Sequence, residues 1–230
     1  MNDIFLNSAY AGVVLTFLGY WIGLRLKRRF KKTLFNPLII ATVFVILVLL
    51  LCHIDYESYN HSAKYLSYLL TPATVALAIP LYMQMDTLKK NLKAILISLT
   101  AGAFAGMASI CAMSALFGIT HAQYVTLLPK SITMAIGTAL AEEYGGYPAI
   151  TVAAIVLTGL TGNVFAESFA KLFRIKDPVA KGLAIGASSH AVGTAKAMEI
   201  GEVEGAMSSL AIVISGLLTV IGASIFAMLW

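Results

Sequence analysis

The chain has 230 residues, of which 59% are hydrophobic and only 12% are charged. A soluble domain usually carries about a quarter charged residues, and a soluble fold of this length could not bury so much apolar surface. The net charge of +5 comes from short basic runs between apolar segments. This pattern is typical of membrane topology and argues against a nucleic-acid partner. The composition therefore predicts an all-α polytopic membrane protein.

Hydropathy predicts about six full spans, each about 20 residues long. The third is interrupted by two prolines, Pro72 and Pro80. The predicted spans are residues 4–24, 34–52, 65–85, 94–117, 149–170 and 205–230.

Thirteen of the sixteen Lys and Arg residues fall in three runs, at 25–32, 89–93 and 171–181. The positive-inside rule places these runs in the cytoplasm and the N-terminus outside. All three runs lie in the cytoplasm only if residues 121–146 enter the membrane from the outside and return to the outside. Residues 182–204 must likewise enter from the inside and return to the inside. Re-entrant segments occur only where they are buried in protein or line a wet cavity. A broken helix pair that crosses in a different order also fits the hydropathy.

The two re-entrant segments resemble each other. The Gly-Thr-Ala sequence at 137–139 matches the one at 193–195, and one clean span follows each segment. We interpret residues 94–170 and 171–230 as an inverted repeat and residues 1–93 as scaffold spans; chance identity between small-residue-rich segments is the alternative. Inverted repeats with interrupted helices at the bilayer midplane are typical of secondary transporters.

Each re-entrant segment carries a lysine that the positive-inside rule does not explain. Ionisable residues inside a membrane are costly and indicate binding sites or pathways. Two ammonium groups facing a cavity between the repeats would bind an anion, aided by hydroxyls, backbone amides and helix N-termini. A small carboxylate is therefore the expected substrate. The expected binding residues are Lys130, Ser131, Thr133, Ser188, Ser189, His190, Gly193, Thr194 and Lys196.

For each of these lysines, a role other than anion binding is the alternative. Lys130 could extend to the outer headgroups, and Lys196 could pair with Glu199 or Glu202 near the inner surface. His190 is either a proton relay or a packing residue.

Five further residues are expected to line the cavity or act as hinges. They are Thr71, Pro72, Thr74, Pro129 and Gly137. For the first three, which lie in the third span, a plain proline kink is the alternative.

The sequence contains no nucleotide-binding loop, metal-ligand spacing or nucleophile motif, so we expect neither an enzyme nor a cofactor. Cys52 and Cys111 lie far apart in apolar segments and are interpreted as packing residues. The first, second and fourth spans carry glycines and few polar groups. We expect a homodimer contact on those spans.

Four segments resemble the LrgB/CidB family, and the resemblance covers essentially the whole chain. They are Asn36-Pro37, residues 71–82 (TPATVALAIPLY), 127–133 (LLPKSIT) and 181–196 (KGLAIGASSHAVGTAK). The Thr-Ala-Lys that ends the last segment is closer to the CidB branch.

The resemblance implies a protein of the bacterial cytoplasmic membrane with a small LrgA/CidA-like membrane partner. It also implies control of murein hydrolase activity and autolysis. Related proteins are linked to pyruvate uptake or export, and a plastid relative to glycolate and glycerate exchange.

Two functions follow from these expectations. The first is a secondary transporter of small monocarboxylates, of the pyruvate, glycolate or glycerate class, that binds the carboxylate between the two re-entrant segments. The second is a holin-like or antiholin-like modulator of murein hydrolase activity, which needs no substrate site.

Overall fold

In the computed structural model, residues 2–8, 10–30 and 35–230 are described, and within them the chain is helical without a strand. The all-α prediction is confirmed. The helices are α1 (Asn2–Asn7), α2 (Ala11–Phe30), α3 (Pro37–Leu51), α4 (Tyr56–Tyr68), α5 (Leu70–Ala76), α6 (Ala78–Met83), α7 (Met85–Phe117), α8 (His121–Leu127), α9 (Met134–Glu143), α10 (Pro148–Leu172), α11 (Pro178–Ile200) and α12 (Glu202–Phe226), and a 3-10 turn follows at Ala227–Leu229. The chain divides into two compact units, Met1–Ala76 and Leu77–Trp230.

Within the described residues, four helical stretches are long and apolar enough to cross a membrane. They are Tyr56–Met83, Met85–Phe117, Pro148–Leu172 and Glu202–Leu229. Helix α3 is apolar but has only 15 residues, and α2 has 20 with three basic residues in its last turn. These helices support a multi-pass membrane protein.

The first predicted span, residues 4–24, has different bounds in the structure. It is divided between α1 and α2, and α2 continues to Phe30. Lys and Arg are good helix formers and are stabilised at a helix C-terminus, so the basic run extends the helix beyond the apolar part. Lys31 and Lys32 of this run lie outside the described residues.

In the first unit, glycines bring α2 against its neighbours. A Cβ added at Gly23 would lie 2.8 Å from the backbone of Pro37 on α3. The Gly12 amide donates a hydrogen bond to Ser62 Oγ on α4 at 2.9 Å. The glycines of α2 therefore serve contacts within this chain, and the expected homodimer contact stays a prediction.

In the second unit, α8 and α9 form a hairpin, here called the first hairpin (residues 121–143). The capping box of α8 pairs Thr120 Oγ1 with the Gln123 amide and the Gln123 side chain with the Thr120 amide. Tyr124, near the start of the hairpin, shares an apolar cluster with Leu140 and Tyr144, which are near its end. Both ends of the hairpin therefore lie on the same side, as a re-entrant segment requires.

Helix α11 is a second hairpin (residues 178–200), because its helical backbone breaks at His190, where φ is 41° and ψ is −141°. Lys181, near its start, forms an ion pair with Glu204 at 3.2 Å. A Cβ added at Gly205 would lie 2.9 Å from Met198 Cγ, near the end of the hairpin. Both ends therefore lie against the first turn of α12, so the segment folds back on itself as expected, while its entry into the membrane from the inside stays a prediction.

The two hairpins lie along α10 from its opposite ends. Near the start of α10, Thr151 Oγ1 donates a hydrogen bond to the Thr126 carbonyl of the first hairpin at 2.9 Å. Near its end, Glu167 pairs with Lys196 of the second hairpin at 2.7 Å. The hairpins therefore have opposite orientations, as expected of an inverted repeat.

The tips of the hairpins meet at the middle of α10. A Cβ added at Gly137 in the first hairpin would lie 2.6 Å from Ile155 Cδ1. His190 in the second hairpin donates from Nε2 to the Ile155 carbonyl at 2.9 Å. The two matched glycines also have equivalent roles: each packs the returning limb of its hairpin against the entering limb, Gly137 near the Pro129 carbonyl and Gly193 near the Ile185 carbonyl.

Candidate functional site

A cavity of about 1000 Å³ lies in the second unit, lined by α7, α10, α12, the turn of the first hairpin and the entering limb of the second. Its walls are mainly apolar, with a limited set of polar side chains, which is the usual form of a small-ligand site. The polar lining residues are Asn91, Ser98, Lys130, Ser131, Thr158, Thr161, Asp177, Lys181, Ser188, Ser189, Ser215 and Thr219.

The two ends of the cavity differ. At one end the lining includes Asp177 and Ala180, whose side chains are exposed at the start of the second hairpin. At the other end the wall consists of Met107, Ile110 and Leu128, which belong to a buried apolar cluster. The lining therefore runs from exposed residues at the Asp177 end to a buried apolar cluster at the other end.

Lys130 lies at the turn of the first hairpin and lines the cavity. Its Nζ donates a hydrogen bond to Ser131 Oγ at 3.1 Å. No carboxylate among the described residues is paired with it. An ammonium group in this position can accept an anion, and substrate binding by Lys130 and Ser131 stays a prediction.

Lys196 lies elsewhere, and the expectation that it faces the cavity is wrong. It forms ion pairs with Glu167 at 2.7 Å and Glu199 at 3.2 Å, and the described cavity lining does not include it. Lys196 is six residues beyond the break at His190, about 9 Å along a helix, so the returning limb has carried it towards the base of the hairpin. The alternative pairing with Glu199 is the one found.

The entering limb of the second hairpin brings Ser188 and Ser189 to the cavity wall. Their hydroxyl groups lie 3.0 Å apart, and Ser188 Oγ also donates to the Ala184 carbonyl at 2.7 Å. Ser189 packs on Gly162 of α10, where an added Cβ would overlap its hydroxyl. These two serines line the same cavity as Lys130, and their role in substrate binding stays a prediction.

Three other expected binding residues hold the second hairpin in place. His190, Gly193 and Thr194 are buried and are not among the described lining residues. Thr194 Oγ1 lies 2.7 Å from Ser208 Oγ on α12 and donates to the His190 carbonyl at 2.9 Å. The structure thus places His190 in a packing role.

Two further expected residues, Thr133 and Pro129, are not among the described lining residues of the cavity. Thr133 precedes α9 as its N-cap residue, and Pro129 is buried in the turn of the first hairpin. Thr71 and Pro72 are exposed on α5 of the first unit, while the side chain of Thr74 lies outside the described residues.

Sequence reasoning missed the polar and small residues inside two clean spans. In α10, Gly159 packs under the His190 ring, and Asn163 Nδ2 donates to the Val192 carbonyl at 2.6 Å. In α12, Ser215 lines the cavity. The run Gly-Leu-Thr-Gly-Asn at 159–163, in the middle of an apolar span, was the signal that could have identified this surface.

The sequence is similar to known proteins over most of its length. Residues 16–229 match the LrgB-like family. The chain is 38% identical over 215 residues to the antiholin-like protein LrgB of Bacillus mycoides (strain KBAB4), covering 93% of this chain and 94% of the relative. Proteins of the same name from Bacillus cereus (strain B4264) and Bacillus anthracis (strain CDC 684 / NRRL 3495) show the same identity and coverage. No solved structure matches the chain significantly.

Proposed function

The chain belongs to the LrgB-like family, and on this premise we propose that it is a secondary transporter of small monocarboxylates, of the pyruvate, glycolate or glycerate class. The observation that carries the proposal is Lys130, an ammonium group without a paired carboxylate among the described residues, in a cavity where two oppositely oriented hairpins meet.

The charges near the hairpin tips support a substrate with one negative charge, because Asp177, the acidic lining residue, lies at the exposed end of the cavity. Lys181, the other lining lysine, is neutralised by Glu204 at 3.2 Å. Lys130 is therefore the cation available to a ligand. A carboxylate there would gain a charge-assisted hydrogen bond, strengthened by the low dielectric of the apolar walls.

The hairpin arrangement supports movement of the substrate through the protein. The tips end in the middle of α10, and the cavity extends from them towards the exposed end near Asp177. Opening the apolar closure around Met107 and Leu128 would expose the same site to the other side. Alternating access around a fixed midplane site is the mechanism of transporters with inverted repeats.

Uptake of labelled pyruvate into proteoliposomes tests the proposal. Lys130→Ala should reduce uptake about tenfold to hundredfold, the effect of losing one charged hydrogen bond. Lys196→Ala is the matched control, because Lys196 pairs with Glu167 and Glu199, and it should retain uptake. Wild-type uptake equal to that of empty liposomes would contradict the proposal.

The second candidate function is antiholin-like modulation of murein hydrolase activity. The names of the relatives favour it, and they do so more directly than they favour transport of a particular substrate. An LrgA/CidA-like small membrane protein is the proposed partner. The two functions are compatible, because carboxylate flux could itself alter autolysis.

Dye release from liposomes that contain the small partner tests this second function. If this chain reduces the release, and Lys130→Ala reduces it as much as the wild type, modulation does not depend on the cavity. No change in dye release on adding the chain would contradict direct modulation of the partner.

A further inference from the structure

Ser215 has an unusual hydroxyl group. The residue lies in the middle of α12, lines the cavity and is 3% exposed. Among the described residues, its Oγ is the buried side-chain oxygen that has no hydrogen-bond partner. Ser209, one and a half turns earlier and also buried, donates to the Gly205 carbonyl at 2.9 Å. A buried polar group without a partner is rare and requires an explanation.

Ser215 lies where α12 passes the tips of the hairpins. A Cβ added at the adjacent Gly216 would lie 3.5 Å from Ile136 Cδ1 of the first hairpin. One turn earlier on α12, Ala211 Cβ lies 2.8 Å from the Cβ position of Gly186 in the second hairpin. Ser215 therefore lies on α12 between its contacts with the two hairpins, in the cavity that Lys130 also lines.

Three serine hydroxyls of the hairpin tips, which line the same cavity, are already engaged. Ser131 Oγ accepts from Lys130, and Ser188 Oγ contacts both the Ala184 carbonyl and Ser189 Oγ. Ser215 is left to bind a group that arrives with the ligand.

We propose that Ser215 binds an uncharged oxygen of the substrate, a hydroxyl or oxo group, while Lys130 binds its carboxylate. The inference rests on the proposed function and adds a specificity-determining residue to it. A buried hydroxyl that the ligand must satisfy remains unpaired when the ligand lacks the oxygen. The site therefore prefers oxygen-bearing monocarboxylates to hydrocarbon acids of the same length.

Binding of lactate and propionate to the purified full chain, measured by isothermal titration calorimetry, tests the inference. The two acids have the same number of carbon atoms and differ by one hydroxyl group. The wild type should bind lactate about tenfold more tightly, the effect of one hydrogen bond in a buried site. Ser215→Ala should remove this preference by weakening lactate binding alone.

Ser209→Ala is the matched control, because Ser209 is a buried serine on the same helix that is not among the described lining residues. It should keep the preference for lactate. Equal binding of both acids to the wild type, an equal loss of both in Ser215→Ala, or no binding of either acid would overturn the inference. A Ser215-dependent preference without uptake into proteoliposomes would instead remove the transport proposal and leave the subsite standing.

Discussion

The two lysines of the hairpins have opposite electrostatic surroundings. Lys196 has carboxylates at 2.7 Å and 3.2 Å, whereas the partner of Lys130 among the described residues is a serine hydroxyl at 3.1 Å. An ammonium group without a counter-charge is costly away from water, and a ligand carboxylate would offset that cost. This difference makes Lys130 the stronger candidate for anion binding.

The backbone conformation of His190 is also unusual for a single residue. Its φ of 41° with ψ of −141° lies in a region that L-residues rarely adopt. The imidazole compensates by donating to the Ile155 carbonyl and by packing on Gly159, where an added Cβ would lie 2.6 Å from Cε1. The side chain therefore holds the hairpin tip on α10 against backbone strain.

We predict that His190→Gly is more stable than His190→Ala. Both variants lose the bond to Ile155, but only alanine keeps the backbone strain of about 1–3 kcal/mol. Glycine adds chain entropy of about 0.5–1 kcal/mol to the unfolded state, which offsets only part of this gain. Thermal unfolding of the detergent-solubilised variants measures the order. A lower Tm for the glycine variant would contradict the role assigned to strain.

At the scale of elements, the second hairpin is seated on α10 through small residues. Ser189 fits over Gly162 and the His190 ring over Gly159. The close approach brings the Val192 carbonyl within 2.6 Å of Asn163 Nδ2. Because these contacts leave no space for another methyl group, the position of the hairpin tip depends on them.

Gly162→Ala should displace the tip of the second hairpin. The added Cβ would overlap the Ser189 hydroxyl, and overpacking of this kind typically costs about 1–3 kcal/mol. Tm and substrate binding should both fall.

A control and a rescue distinguish this effect from a general loss of helix packing. Gly102→Ala on α7 has nothing within 4 Å of the added Cβ and should keep the wild-type Tm. Adding Ser189→Gly to Gly162→Ala leaves the residue 189 Cα at 3.6 Å as the nearest atom, an ordinary contact, and should restore the Tm. Failure of this rescue would show that the clash is not the cause.

For the second unit as a whole, the cavity and its apolar closure define two sides. Its lining reaches the exposed Asp177 at one end and the cluster with Met107 and Leu128 at the other. The hairpin tips should therefore be reached by water from the Asp177 end in the conformation described here.

Labelling of single cysteines with a membrane-impermeant maleimide, in a variant without Cys52 and Cys111, tests this arrangement. We expect Ser188→Cys to react from the side that labels Asp177→Cys. Gln123→Cys, at the exposed start of the first hairpin, should react from the opposite side. Labelling of Ser188→Cys only from the Gln123 side would contradict the direction of opening.

The sequence by itself determined the helical membrane class and the two re-entrant segments. Hydropathy and charge are properties of successive residues, and the positive-inside rule converts the three basic runs into constraints on which segments cross. Lys130 could be identified in this way because it lies at the turn of the first hairpin. At a turn, the position of a residue along the segment also indicates how deep it lies in the membrane.

Only the tertiary structure decided which polar groups meet. The turn at His190 returns Lys196 to Glu167, 29 residues earlier in the chain, and no periodicity shows that turn. Ser215 and Gly162 lie in predicted full spans, and the sequence does not show that they become part of the site, because that depends on the hairpins packing against α12 and α10. A cavity is formed by contacts between segments distant in the chain, so its lining depends on packing geometry that composition and local patterns do not contain.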